Sequence, residues 1–355
     1  KLNIPCPNGT IIEMGSPVSW EVKQGGMYQI TEEERGGYVN TTPISVDVMV
    51  QSGVTPEKIW FGNFKMVTIT ADKFDDLNGD GIKDEGEPEL AGWQLTISCP
   101  NGTTSTLGSP ASWVVKEGGE YTITEELRDG WIQTTEGSVG ITVQSGDPPE
   151  MVWFGNFELV TITAGKYNDL NGNGGLDEDE LEIFEWKLTI TCPNGTTDTM
   201  DSPASWTVEG GGTYTITEEL RDGWIQTTPD SVDVMVQSGD APEMVWFGNF
   251  ELGKISGYKV NDLNGNGFRN EGDPTLEGWI IHLDGYDTIT KVEVHRTTVT
   301  DHNGHYEFKG LTNGTYTVSE ELKPGWIQIL GTYTIDVTSG TSEYNDFYNF
   351  ELVNI

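Results

Sequence analysis

The chain has 355 residues, and its 57 acidic side chains outnumber 19 lysines and arginines to give a net charge of −38. So acidic a surface argues against nucleic acid or an anionic membrane as a partner and favours cations. No run of residues is long enough to cross a membrane as an apolar helix and no signal peptide opens the sequence, so a secreted protein of this sequence would be a mature or trimmed form.

The first feature in chain order is a repeat. Cys6, Cys99 and Cys192 each begin CPNGT, and 99−6 and 192−99 both give 93. Trp20, Trp113 and Trp206 keep that period, as do Asn63, Asn156 and Asn249 in WFGNF; a divergent fourth copy closes with Asn349 in FYNF. The period predicts four domains, 1–65, 66–158, 159–251 and 252–355, running strand into strand as a semi-rigid rod.

The stretch VTITADKFDDLNGDGIKDEGE (67–87) has two halves. In the first, Val67, Ile69 and Ala71 alternate with polar residues as a strand does, and Lys73 then falls on the apolar face. The second half places Asp76, Asn78, Asp80, Asp84 and Glu87 at positions one, three, five, nine and twelve of a calcium loop of EF-hand type, with Gly81 at the sixth place and the Ile82 carbonyl at the seventh. The third copy offers Asp169, Asn171, Asn173, Gly175, Asp177 and Glu180 in the same order. The fourth offers Asp262, Asn264, Asn266, Phe268, Asn270 and Asp273. It has the fewest carboxylates and a shorter last ligand, so the weakest calcium binding is expected there. No flanking helices are visible, so each loop reads as a staple rather than a sensor.

Further on, Trp93, Leu95, Ile97 and Cys99 share one face of a strand, and Pro100-Asn101-Gly102 turns the chain as Asn-Gly does in hairpins. Tyr121, Ile123 and Glu125 form one face of the next strand, Ile141 and Val143 mark another, and Val152, Phe154 and Asn156 the last. No segment sustains a helical period. The fold class is all-β: tandem immunoglobulin-like β-sandwiches.

Three polar residues therefore stand on apolar faces in each full copy: Lys73, Glu125 and Asn156; Lys166, Glu218 and Asn249; Lys259, Glu320 and Asn349. A lone buried charge costs several kcal/mol, so Lys and Glu need each other. One reading is a buried ion pair capped by the Asn. The other is chemistry: burial lowers a lysine pKa and raises a glutamate pKa, a neutral amine is a nucleophile, and a protonated Glu polarises the carboxamide. The product would be a Lys–Asn amide with loss of ammonia.

YTITEELRDGW (121–131) resembles the corresponding segment of collagen-adhesin B-type (Cna-B) domains, and the lysine strand with LAGW (90–93) resembles their opening hairpin. The DLNGNG loops, the NF closing strand and DHNGHYEFKGLTNGTYTVSEELKPGW (301–326) resemble the B-type repeats of serine-aspartate-repeat adhesins. The resemblance implies a Cna-B or prealbumin-like sandwich, loop-bound calcium and duty in a surface stalk. It also implies an intramolecular isopeptide between the Lys and Asn of each triad, with Glu125, Glu218 and Glu320 as its catalysts. The serine-aspartate-repeat relatives rely on calcium instead, and this sequence carries the residues for both.

Cys99 shares parity with apolar neighbours and reads as a buried small hydrophobe, as do Cys6 and Cys192. The sequons at Asn8, Asn40, Asn101, Asn194 and Asn313 are glycosylation candidates in a glycosylating host. No enzyme motif appears, and paired carboxylates that recur in every copy do not single out a glycosidase site. The expected function is a structural subunit of an extracellular filament, sheath or surface layer, with an adhesin stalk as the alternative. The expected partners are copies of itself and extracellular ligands. The first domain starts where the second has Leu95, beyond the lysine strand, yet keeps Glu32 and Asn63. The tail, with Leu352, Val353 and Ile355, aligns with the start of such a strand. That pattern predicts head-to-tail strand donation.

Overall fold

The computed structural model describes residues 1–6 and 9–353. Asn8 and Ile355 lie outside the described residues. Backbone pairing among the described residues is all-β, and the chain falls into two compact units, 1–159 and 160–355. Each unit holds two repeats of the sandwich pattern.

The second repeat shows the plan. One sheet runs in the order Ala111–Val115, Val67–Asp75, Glu150–Glu158, Trp131–Gln133. The facing sheet runs Ser138–Val143, Gly119–Glu125, Gln94–Ser98, Thr104–Gly108. The lysine strand Val67–Asp75 pairs antiparallel with Ala111–Val115 and parallel with the closing strand Glu150–Glu158, placing Phe154 opposite Lys73 and Asn156 opposite Asp75. The alternation read from sequence becomes the inner face: Val67, Ile69, Leu95, Ile97, Tyr121, Ile123 and Phe154 form one buried core. The third repeat keeps this plan with the lysine strand Val160–Asn168, and the fourth with Gly253–Asn261. In the fourth, Ser342–Tyr344 joins the same sheet as an extra partner.

Closing strands also plug joints between repeats. Phe64, at the end of the first repeat, is buried in the core of the second, and Phe250 is buried in the core of the fourth. Ser145 Oγ accepts from Lys65 N at 2.8 Å, and Ser339 Oγ accepts from Glu251 N at 2.7 Å, so each joint is also tied by one serine.

Cys6, Cys99 and Cys192 are free and half-buried, a correction to the buried reading. Cys99 packs against the rim of the core, because it sits where the strand leaves the sheet for the Asn101-Gly102 turn.

Candidate functional site

The polar residues that sequence parity put on apolar faces meet inside the sandwiches. Lys73 and Asn156 come from neighbouring parallel strands of one sheet, and Glu125 projects from the facing sheet. Lys73, Lys166 and Lys259 are all 0% exposed. Lys73 Nζ donates to Glu125 and, at 2.6 Å, to Asn156 Oδ1. Lys166 Nζ lies 2.9 Å from Glu218 Oε2, and Lys259 Nζ lies 2.6 Å from Glu320 Oε2.

Those last two ion pairs are close but off-line for hydrogen bonds, and several buried atoms around them are left without a hydrogen-bond partner. Among the described residues these include Asn249 Oδ1, Lys259 Nζ, both Glu320 oxygens and both amide atoms of Asn349. Buried polar groups are normally satisfied, so this cluster requires an explanation.

Burial lowers all three lysines, against the raising pull of the glutamates: Lys73 shifts down, and Lys166 and Lys259 each come down to about 8. Burial raises Glu125, which its bonds to Lys73, Gln133 and Asn156 only partly oppose. The two groups are thus pushed toward a neutral amine beside a neutral acid, the protonation state in which an amine attacks a polarised carboxamide.

Sequence reasoning missed two parts of this site. Each lysine lies over a tryptophan: Lys73 over Trp93 at 4.1 Å, Lys166 over Trp186 at 4.9 Å and Lys259 over Trp279 at 4.5 Å. Gln133 Nε2 donates to Glu125 at 2.7 Å, and Gln226 Nε2 donates to Glu218 at 3.0 Å. The repeated GWIQ, one period apart at 130–133 and 223–226, was the available signal.

The acidic loops follow each lysine strand. Asp76, Asp169 and Asp262 are fully buried, and the loop wraps around them: Asp76 accepts from Gly79 N and Gly81 N, both at 2.7 Å. Gly81 has φ +78°, and a Cβ there would meet the Thr134 carbonyl at 2.7 Å, so the sixth place requires glycine. At the twelfth place Glu87 accepts from Leu77 N and Asp84 N, and Glu180 does the same for Leu170 and Asp177. Burial, joined by the charges of Asp76 and Asp84, pushes Glu87 above the usual carboxylate range.

Asn78 Nδ2 sits between Asp80 and Asp84 at 3.1 and 3.2 Å, and Asn171 and Asn173 both donate to Asp177. In the fourth loop Asn266 N donates to Asn264, and the Phe268 carbonyl is taken by Asn270 Nδ2. Among the described residues no three Asp, Glu, His or Cys side chains close on one point. The donor set of carboxylates, amides and carbonyls without sulfur or imidazole is that of a hard cation such as calcium. Ile82 and Gly175 stand at the seventh places, where only the main chain contributes.

Of the sequons, Asn101 and Asn194 cap their own turns by accepting from Thr103 and Thr196. Asn40 donates to Glu32, and Asn313 donates to Thr288. Leu352 and Val353 are exposed and outside any strand.

Residues 253–346 match the model of the SdrD B-like domain. The chain resembles serine-aspartate-repeat B-type domains. Serine-aspartate repeat-containing protein F of Staphylococcus epidermidis is 27% identical over 290 residues, covering 72% of this chain and 16% of the relative. Protein D of Staphylococcus aureus (strain Newman) is 26% identical over 312 residues, covering 77% of this chain and 23% of the relative. The chain thus spans less than a quarter of either relative. Among solved structures, the major pilin subunit BcpA of Bacillus cereus aligns with 81% of this chain and all of its own at 14% identity, with a TM-score of 0.36.

Proposed function

We propose that this chain is a structural segment of an extracellular, cell-surface protein whose repeats are locked internally so that they hold under load. The carrying observation is the triad: a lysine, a glutamate and an asparagine whose side chains are buried at the same place in three successive sandwiches, with the lysine and asparagine on the first and last strands. An ion pair there would be a weak stabiliser for its desolvation cost. A covalent link accounts for the orphaned amide and carboxylate atoms as well as for the lowered lysines.

In the reaction, Lys73 Nζ attacks Asn156 Cγ. The new C–N bond forms, the Cγ–Nδ2 bond breaks, and ammonia leaves. Glu125 carries the proton from the attacking amine to the departing nitrogen, and ends as it began. The same roles fall to Lys166, Glu218 and Asn249, and to Lys259, Glu320 and Asn349. No external substrate is turned over.

Calcium belongs to the same reading. Bound in the loops, it would draw Asp80 and Asp84 off the Asn78 amide and hold the entry to each lysine strand rigid through Asp76 and Glu87, with the homologous residues of the later loops doing the same. Self-association into a filament, sheath or layer is the third element of this reading.

Intact mass tests the covalent reading. The expected value is the sequence mass less one ammonia for each of three bonds; a mass equal to the plain sequence overturns it. Ordered polymers by electron microscopy would favour a filament, sheath or layer. Unpolymerised molecules that bind a surface ligand would favour an adhesin stalk.

A further inference from the structure

A glutamate has a pair of carboxyl oxygens, and proton transfer within a triad needs the right one turned to the lysine. In each full repeat that oxygen is Oε2. Lys73 Nζ donates to Glu125 Oε2, and Lys166 and Lys259 form their ion pairs with Glu218 Oε2 and Glu320 Oε2. In the second and third repeats the other oxygen is held from the side. Gln133 Nε2 donates to Glu125 Oε1 at 2.7 Å, and Gln226 Nε2 donates to Glu218 Oε1 at 3.0 Å.

Those glutamines stand in register with the reacting asparagines. Gln133 is paired with Asn156 across antiparallel strands, and Gln226 with Asn249. Glutamine, asparagine and lysine thus come from adjacent strands of one sheet, with the glutamate reaching them from the facing sheet. Gly137 gives Gln133 its room, because a Cβ there would collide with the carboxamide. The fourth repeat departs from this arrangement. Gln328 keeps the register with Asn349, but a bulge follows it and its side chain is exposed. Neither oxygen of Glu320 has a hydrogen-bond partner among the described residues.

We propose that Gln133 and Gln226 are positioning residues for amide formation, each fixing which oxygen of its glutamate carries the proton. The NH2 of a carboxamide only donates, so the oxygen it meets must accept. The acidic proton is thereby kept off Oε1 and placed on Oε2, which faces the lysine. Nζ attacks Asn156 Cγ, the Cγ–Nδ2 bond breaks, and the proton taken from Nζ passes through Oε2 to the ammonia that leaves. The same bond supports the acid when it is ionised. Burial pushes Glu125 toward its neutral form, and Lys73, the charged group facing it, together with Gln133 and Asn156, pulls the other way. The inference rests on the covalent reading and adds a residue to it.

The test uses the full chain made by cell-free synthesis, quenched in denaturant at timed intervals and digested, so that mass spectrometry follows each cross-linked peptide separately. Gln133→Met keeps the side-chain length and removes the donor. The Lys73–Asn156 bond should then form about a hundredfold more slowly, the scale of a small misplacement of a reacting group. The Lys166–Asn249 bond of the same molecules should keep its rate. The low-pH limb of the Lys73–Asn156 rate should also move to higher pH, because the ionised acid has lost a donor; a purely structural loss would leave that limb in place. Gly137→Ala, which crowds the carboxamide while leaving the donor present, should slow the same bond. In the parent chain the Lys259–Asn349 bond should trail the other two. Parent rates in both variants with an unmoved pH limb, or a Lys259–Asn349 bond as fast as the others, overturn the positioning role while the covalent reading stands. No bond in any parent triad overturns the covalent reading, and this role with it.

Discussion

Replacing Glu125 with alanine isolates what the buried acid does for the second repeat. Lys73 and Glu125 are both fully buried, and the acid also receives Gln133. Removing one partner of a buried pair costs about 3–5 kcal/mol. The lysine itself sets a ceiling, because it can shed its proton. Bringing an ordinary lysine pKa to neutral pH at about 1.36 kcal/mol per unit costs about 4.6 kcal/mol. A domain of this size loses about 4–8 °C of Tm per kcal/mol, so the second repeat should melt at least about 12 °C lower. In this variant the amide does not form, so the loss of the bond coincides with a free lysine left buried without its acid. Calorimetry reads the melting, and the intact mass should rise by one ammonia. The double variant Lys73→Met with Glu125→Leu should recover much of the melting temperature, since an apolar pair of similar volume avoids the desolvation cost. An unchanged melting temperature, together with a mass that differs from the parent's by the substitution alone, would refute the role assigned to the acid in Glu125→Ala.

Calcium at about 100 times its Kd should stabilise each loop-bearing repeat by about 2.7 kcal/mol. Chelation should therefore lower Tm and open protease cuts near Asp76, Asp169 and Asp262; unchanged melting in excess chelator would remove calcium from the account. The pH dependence separates an ionic from a covalent triad. A free Lys166 has a folded pKa of about 8 against an ordinary 10.5, so between those values the unfolded state binds more protons and stability rises with pH. That rise amounts to about 3 kcal/mol at 1.36 kcal/mol per unit. Denaturant titrations should show it in Asn249→Ala, where the lysine stays free, and should lack its Lys166 contribution in the parent chain, where an amide nitrogen does not titrate.

Much of this architecture was legible because strand periodicity is strict. A residue two places beyond Ala71 must face the core, so Lys73 could be placed inside without coordinates. The same parity located Glu125 and Asn156, and the fixed period carried all three to their homologues. The tryptophan under each lysine was not legible, because it depends on how two sheets stack rather than on alternation within one strand. Gln133 escaped for a related reason: Trp131–Gln133 is a short strand with no buried face, so its pattern carries no inward signal. Cys99 shows the limit of parity at a strand end, where the chain already turns away from the core.

Stretching single molecules from end to end tests most directly the claim that the triads lock these repeats under load. In the second repeat 83 residues separate Lys73 from Asn156, a loop of about 290 Å at ~3.3–3.6 Å per extended residue. With the amide in place that length stays out of the force path. The account predicts that the parent chain shows no release of this size, and that Glu125→Ala shows one. A parent chain that releases about 290 Å per repeat at forces far below those that break covalent bonds would contradict it.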